Sequence, residues 1–186
     1  MKIYIYLRNC FRLNHWRGHG IHSPFMYRLV REVLVKRKVS YNPHTLPENI
    51  MNYNLLKRDT LFIRNLYAFL KYPNSIIAGE GRPDHRTFCV APMDTPPEKI
   101  GELINAIDRN GNNECCVAVL GVNKSREKYQ LCRELIQKET CVSVDLYRTY
   151  LFLFDKRLQK QYYRIRSRYG DPVYNSIPAR LLYRNR

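Results

Sequence analysis

Three histidines near the start of the chain are the closest approach to a metal-ligand set. His15, His19 and His22 lie within eight residues of one another, and imidazole nitrogens are common zinc ligands. Glycines between them interrupt any helix that would align the rings, and no acidic residue lies nearby. We therefore expect no metal, and we expect His19 and His22 to form structural hydrogen bonds that fix the following turn.

Nucleophilic chemistry has no recognisable centre. The sequence contains neither a G-x-S-x-G elbow nor a Gly-Lys-Ser/Thr phosphate loop. Cys115 and Cys116 lie in an apolar run without the basic neighbours that activate a thiol. None of the six cysteines forms a C-x-x-C pair. We expect reduced thiols that pack as small apolar side chains and, without a secretory signal or a transmembrane segment, a cytoplasmic protein.

Cations and aromatic residues are interleaved near the carboxyl end, which fits contact with a polyanion. The chain has a net charge of +16, with +8 in residues 1–40, +8 in residues 148–186 and none between them. Cations neutralise phosphates and tyrosine rings stack on unpaired bases. The partner would be nucleic acid or another polyanion such as an acidic membrane surface, although the same charge could serve solubility alone. The candidate contacts are Arg157, Lys160, Arg164, Arg166 and Arg168.

An ordinary edge strand explains part of this segment equally simply. Tyr163 and Ile165 alternate with Arg164 and Arg166, which predicts apolar side chains inward and cations outward. Charge on an edge strand also hinders aggregation. We favour an edge strand over residues 161–166, and this is compatible with polyanion binding.

The elements that would position these residues alternate between helices and short apolar strands. Helices are predicted from the Ser23-Pro24 start to about residue 38, and over 55–72, 97–109 and 126–138; residues 40–54 are predicted to be a loop. Strands are predicted over 76–78, 87–91, 115–120, 141–146 and 150–154. This alternation predicts an α/β sheet, with an antiparallel edge formed by the last strand pair.

The opening motif is similar to that of a known family. The residues His19, Gly20, His22, Ser23, Pro24 and Phe25 resemble the H-G-x-H-S-P-F segment of bacterial class I S-adenosylmethionine-dependent methyltransferases. The similarity covers about residues 10–40 and 112–168. It implies a reduced Rossmann-like sheet in residues 73–168, a helical segment in 1–72 packed on it, and S-adenosylmethionine as the cofactor. The prolines and arginines of residues 169–186 predict an irregular basic tail, and the length of 186 residues predicts one folded domain.

The sequence departs from this family where the cofactor would bind. The family places an acidic-x-Gly-x-Gly turn after the first strand. Here Gly79 and Gly81 are present, but Ile77 stands at the acidic position, and a tight turn explains the glycines more simply. Asp94 could mimic the acid that binds the ribose, although an Asp before Thr-Pro-Pro more often begins a helix. We therefore predict that Gly79, Gly81 and Asp94 are vestigial cofactor contacts.

Two further departures affect the fold and the chemistry. Only residues 80–86 separate the first two strands, too few for a crossover helix. These strands form either a hairpin or a crossover shortened by deletion of the middle strands. Leu120 and Gly121 occupy the positions where the family has acids, and neither can accept a proton or bind a metal.

These departures favour a methyltransferase-like protein without catalysis, that is, a pseudoenzyme with no catalytic residue and no bound cofactor. One alternative is an active S-adenosylmethionine-dependent methyltransferase with an atypical pocket. The other is a basic nucleic-acid-binding protein on the same scaffold.

Overall fold

The computed structural model describes residues 21, 23–35, 46–109, 114–138, 141–165, 167 and 169. The helices are α1 (Pro24–Arg28, continued by π-helical turns over Leu29–Val35), α2 (Glu48–Met51), α3 (Lys57–Leu70), α4 (Pro97–Arg109) and α5 (Arg126–Gln137). The strands are β1 (Asn74–Ile77), β2 (Thr87–Ala91), β3 (Cys115–Val119), β4 (Val142–Asp145), β5 (Tyr150–Phe154) and β6 (Tyr162–Arg164).

Side-chain caps begin two of these helices as the sequence predicts. The Ser23 hydroxyl accepts a hydrogen bond from the Met26 N–H at 3.3 Å, with Pro24 in the first turn of α1. Similarly, the Ser125 hydroxyl accepts from the Lys128 N–H at 3.2 Å at the start of α5. The prediction of a loop over residues 40–54 was wrong in part, because α2 lies within it.

The six strands form one mixed sheet in the order β1-β2-β3-β5-β4-β6. Strands β1, β2 and β3 are parallel, β5 is antiparallel to both β3 and β4, and β6 is parallel to β4. The predicted α/β class and the antiparallel β4–β5 pair are confirmed.

The predicted position of that antiparallel pair was wrong. Strand β5 lies inside the sheet, between β3 and β4. All five of its residues are buried, as expected for a strand covered on both faces. The edge is formed by β6, where Tyr163 and Ile165 are buried, as the alternation predicts.

The first two strands form a crossover, so the hairpin interpretation was wrong. Asn74 pairs with Thr87 in parallel register, and residues 78–86 return to the start of β2 without a helix. Asp84 holds this connection: its N–H donates to the Thr87 Oγ1 at 3.1 Å, and its carbonyl accepts from that hydroxyl at 2.8 Å. The Cys115 thiol also donates to the Asp84 carbonyl, at 3.3 Å.

Helices cover both faces of the sheet, but only those on one face connect strands. Helices α1, α2 and α3 precede β1 and pack on one face, in a core that includes Ile63, Leu66 and Phe88. On the other face, α4 and α5 pack against a second core that includes Val117 and Phe152. In the described part of the chain, no helix is both long enough and apolar enough to cross a bilayer.

Candidate site at the carboxyl edge of the sheet

The carboxyl ends of five strands lie at one edge of the sheet. Strands β1, β2 and β3 are parallel, β4 shares their direction because both β3 and β4 are antiparallel to β5, and β6 is parallel to β4. The residues that follow these strands include Gly79, Asp94, Gly121 and Arg148. Since open α/β sheets bind ligands outside the carboxyl ends of their strands, this edge is the candidate functional site.

Gly79 forms the turn after β1. Its backbone has a φ of +92°, a conformation that glycine adopts at little cost. The Glu80 N–H closes the turn by donating to the Ile77 carbonyl at 3.0 Å. A Cβ on Gly79 would lie 2.7 Å from Lys99 Cδ, whereas one on Gly81 would lie 3.5 Å from Ile76 Cγ2. The side chain of Lys99 therefore packs against the Gly79 backbone, which leaves no room for a larger residue at this position.

Asp94 follows β2 and is exposed. It lies near Tyr53, whose pKa is raised by burial and by the charges of Asp94 and Glu80. Asp94 also favours the charged form of Lys128. The charge of Asp94, the predicted ribose-binding acid, thus acts on a tyrosine and a lysine that the sequence does not single out.

Lys128 is a buried amine on α5, with only 2% of its surface exposed. Its Nζ donates to the carbonyls of Pro92 and Met93, at 2.8 and 2.7 Å. Burial lowers its pKa to about 8, against the opposing effect of Asp94. Lys128 therefore ties α5 to the loop that follows β2, and nothing in the sequence distinguishes it from the exposed lysines of other helices.

Leu120 and Gly121 follow β3 at the positions where the family resemblance implies acids. Leu120 is buried, and its N–H donates to the Ala91 carbonyl at 2.9 Å. Gly121 has a φ of +69° and leads into the next turn, where the Val122 N–H donates to the Arg148 carbonyl at 2.8 Å. Leu120 thus bonds β3 to the end of β2, and Gly121 forms the turn that follows β3.

Gly121→Ala is expected to lower the free energy of unfolding by about 1–3 kcal/mol, because alanine is strained at positive φ. Its Cβ would also lie 2.5 Å from Met93 Cγ and 3.3 Å from Met93 Cα. Gly101→Ala in α4 is the matched control, because a Cβ there lies an ordinary 3.9 Å from Leu131 Cδ1. It should raise stability by roughly 0.5–1 kcal/mol. Urea denaturation measures the free energy of unfolding of both variants. Equal changes in the two would contradict the conclusion that Gly121 requires glycine.

A buried ion pair connects this edge to α3. Arg148 Nη2 lies 3.5 Å from Asp59 Oδ2, and the two side chains are only 6% and 7% exposed. Burial raises the pKa of Asp59 despite the opposing charge of Arg148, and burial likewise lowers the pKa of Arg148. Arg148 Nε has no hydrogen-bond partner among the described residues. The 89 residues that separate the pair leave no signal of it in the sequence.

Acids of the same chain engage two of the predicted polyanion contacts. The Arg157 guanidinium lies 2.8 Å from Asp155 and 3.0 Å from Glu114, and its hydrogen bonds lower the pKa of Asp155. Arg164 Nε lies 3.8 Å from Asp145 Oδ2. Lys160 is exposed, while Arg166 and Arg168 lie outside the described residues.

The opening motif is described only in part. Ser23 caps α1, and the Phe25 ring packs on Phe69 of α3 with 5.6 Å between centroids. His19, Gly20 and His22 lie outside the described residues, so their predicted hydrogen bonds stay a prediction. In the ranges that the structure describes, no group of three or more His, Cys, Asp or Glu side chains could hold a metal ion.

Comparison of the chain with protein-family models, with curated proteins and with solved structures finds no match.

Proposed function

We propose that this chain is a methyltransferase-like α/β protein that does not catalyse methyl transfer and acts by binding. The observation that carries the proposal is the end of the sheet at β1. In a Rossmann-like sheet the ligand crevice opens where the strand order reverses and the crossovers change face. Here the described strands β1, β2 and β3 follow one another in order. The connection from β1 to β2 packs beside Ile76 and α4, and α4, which connects β2 to β3, packs on the same face of the sheet.

Backbone groups at the free edge of β1 are already bonded to this chain. The Ala78 N–H donates to the Val90 carbonyl of β2. Because backbone groups alternate in direction along a strand, the N–H and carbonyl groups of Ser75 and Ile77 point to the free edge of the sheet. The Ser75 carbonyl accepts from Asn49 Nδ2 at 2.8 Å, and the Ile77 carbonyl accepts from Glu80. A further strand would compete with both bonds. This supports deletion of the middle strands and, with them, of one wall of the crevice.

The residues at the β1 turn do not fit S-adenosylmethionine. Ile77, at the acidic position of the turn, is 1% exposed. The Lys99 side chain occupies the space beside Gly79 that a Cβ would fill, which leaves less room for a ligand against this backbone. Leu120 and Gly121 offer no group that could accept a proton. The proposed role is therefore binding, and no catalytic step is assigned.

Isothermal titration with S-adenosylmethionine tests the loss of the cofactor. We expect no saturable binding at ligand concentrations up to about 1 mM, which corresponds to a binding free energy weaker than about −4 kcal/mol. Lys99→Ala is the matched variant, since it clears the approach to Gly79. Renewed binding in Lys99→Ala alone would identify Lys99 as the obstruction. A dissociation constant in the low micromolar range for the unmodified protein, abolished by Gly79→Ala, would favour the active alternative and sink the proposal.

The cysteines support the cytoplasmic location that forms part of this proposal. The five described cysteines are free and buried. Burial raises the pKa of Cys89, Cys115, Cys116 and Cys132. Such thiols are unreactive apolar side chains, as is usual in proteins of a reducing compartment.

A further inference from the structure

Three exposed cations lie at equal intervals along α3 and at its carboxyl end. Lys57, Arg64 and Lys71 are seven residues apart, and seven residues are nearly two helical turns, or roughly 10 Å of rise. Lys57 and Arg64 therefore lie on one side of α3, and Lys71 is the left-handed residue that ends the helix. The one acid of α3, Asp59, is buried beside Arg148. We call Lys57, Arg64 and Lys71 the α3 basic face.

The α3 basic face differs from the arginines that acids of this chain engage. Arg28 pairs with Glu32 at 3.1 Å, Arg157 pairs with Glu114 at 3.0 Å, and Arg86 Nε lies 3.9 Å from Glu114 Oε2. The described residues provide no such acid for Lys57, Arg64 or Lys71. Their charge is therefore available to a partner.

Backbone strain occurs at one end of this face. Lys71 and Arg86 adopt left-handed backbone conformations, with φ of 53° and 54°, positions at which glycine or asparagine would be less strained. Arg86 Nη2 donates to the Lys71 carbonyl at 3.2 Å, and its guanidinium lies 5.8 Å from the centroid of the Tyr72 ring. These contacts hold Arg86 against the residue that ends α3.

We propose that the α3 basic face binds the phosphate backbone of a nucleic acid. A membrane-surface helix inserts a broad apolar side between lipids. In α3 the apolar residues Phe62, Ile63 and Leu66 are buried in the core, and Leu61 alone of its large apolar side chains is exposed, at 38%. Cations beside a single exposed leucine suit a chain of phosphates better than insertion into lipid. This inference goes beyond the proposed function and does not depend on the loss of methyl transfer.

The test is fluorescence anisotropy with a labelled single-stranded RNA of about 20 nucleotides and a DNA duplex of similar length, measured over a series of KCl concentrations. Each neutralised phosphate contributes about 0.7 to the salt slope for a single strand and about 0.9 for duplex DNA. The triple variant Lys57→Gln, Arg64→Gln, Lys71→Gln should therefore lower the slope by about 2 to 3 and weaken binding at low salt at least about tenfold.

The matched control removes the same charge from the opposite side of the sheet, through Lys99→Gln, Arg126→Gln and Lys138→Gln. All six positions are exposed, so circular dichroism should show both variants folded. An unchanged slope in the control supports the assignment. The proposal is overturned by equal losses in the two variants, by an unchanged slope in the α3 variant, or by absence of binding at low salt. Capture by phosphatidylserine vesicles without RNA or DNA binding would assign the face to a membrane instead.

Discussion

Arg148→Met is expected to lower the free energy of unfolding by about 3–5 kcal/mol at pH 7, because it leaves the buried Asp59 carboxylate without its partner. The wild-type pair is nearly inaccessible to water, so solvent screens it little. Thermal or urea denaturation measures the loss. The double variant Asp59→Leu, Arg148→Met removes both charges and should recover most of the stability, since apolar replacements of buried ion pairs are often neutral.

The pH dependence provides a second measurement for the same variant. Without Arg148 the pKa of Asp59 should rise further, because the favourable charge is lost while burial persists. An acid with a raised folded-state pKa binds its proton more tightly in the folded protein, so stability falls as pH increases through that pKa. The deficit of Arg148→Met should therefore shrink as the pH falls from 7 toward about 4. Arg126→Met, at an exposed position, should stay within about 0.5 kcal/mol of wild type. A deficit that is independent of pH would contradict this account.

Local chemistry in the sequence was sufficient to predict most elements. The hydroxyl caps at Ser23 and Ser125 are formed within three residues of the chain, so the starts of α1 and α5 could be predicted without knowing the fold. Helix α2 was missed because it is four residues long and begins after Pro47 without a side-chain cap. Its Asn49 is held instead by contact with β1, 26 residues away.

Strand order and direction could not be predicted in the same way. The short spacing excluded a helix between β1 and β2, but only their pairing, Asn74 with Thr87, distinguishes a crossover from a hairpin. For β5 a signal was present: Tyr150–Phe154 contains no charged residue, as expected for an interior strand. The order of strands along the chain does not show that β5 inserts between β3 and β4, so this pair was predicted to form the edge.

The candidate site was harder to predict because it depends on burial. Gly79 and Asp94 were identified from the sequence, and both lie at the carboxyl edge of the sheet. Lys128 and Arg148 were not identified, because residue type alone does not show whether a cation is buried or exposed to solvent. Net charge was misleading for a related reason: residues 41–147 are neutral in sum, yet the one acid of α3 is buried, so the exposed charged residues of this helix are all cations.

Lys128 should make the stability of the protein rise with alkaline pH relative to that of a variant without this amine. Burial lowers its pKa from 10.5 to about 8. Between these two values the unfolded chain binds a proton that the folded protein has released, so stability rises with pH in that window and the cost of burying the charge applies below it. The neutral amine keeps two N–H donors, which match the carbonyls of Pro92 and Met93.

The measurement is the difference in free energy of unfolding between wild type and Lys128→Met from pH 7 to about pH 11. The difference should rise in favour of wild type by about 3 kcal/mol, because each pKa unit corresponds to about 1.4 kcal/mol. Contributions from the buried thiols and tyrosines are common to both proteins and largely cancel. Asp94→Asn provides the control, since loss of the charge that favours protonated Lys128 should begin the rise at lower pH. A difference that stays flat or falls would mean that Lys128 remains charged in the folded protein, with Asp94 and the two carbonyls outweighing its burial.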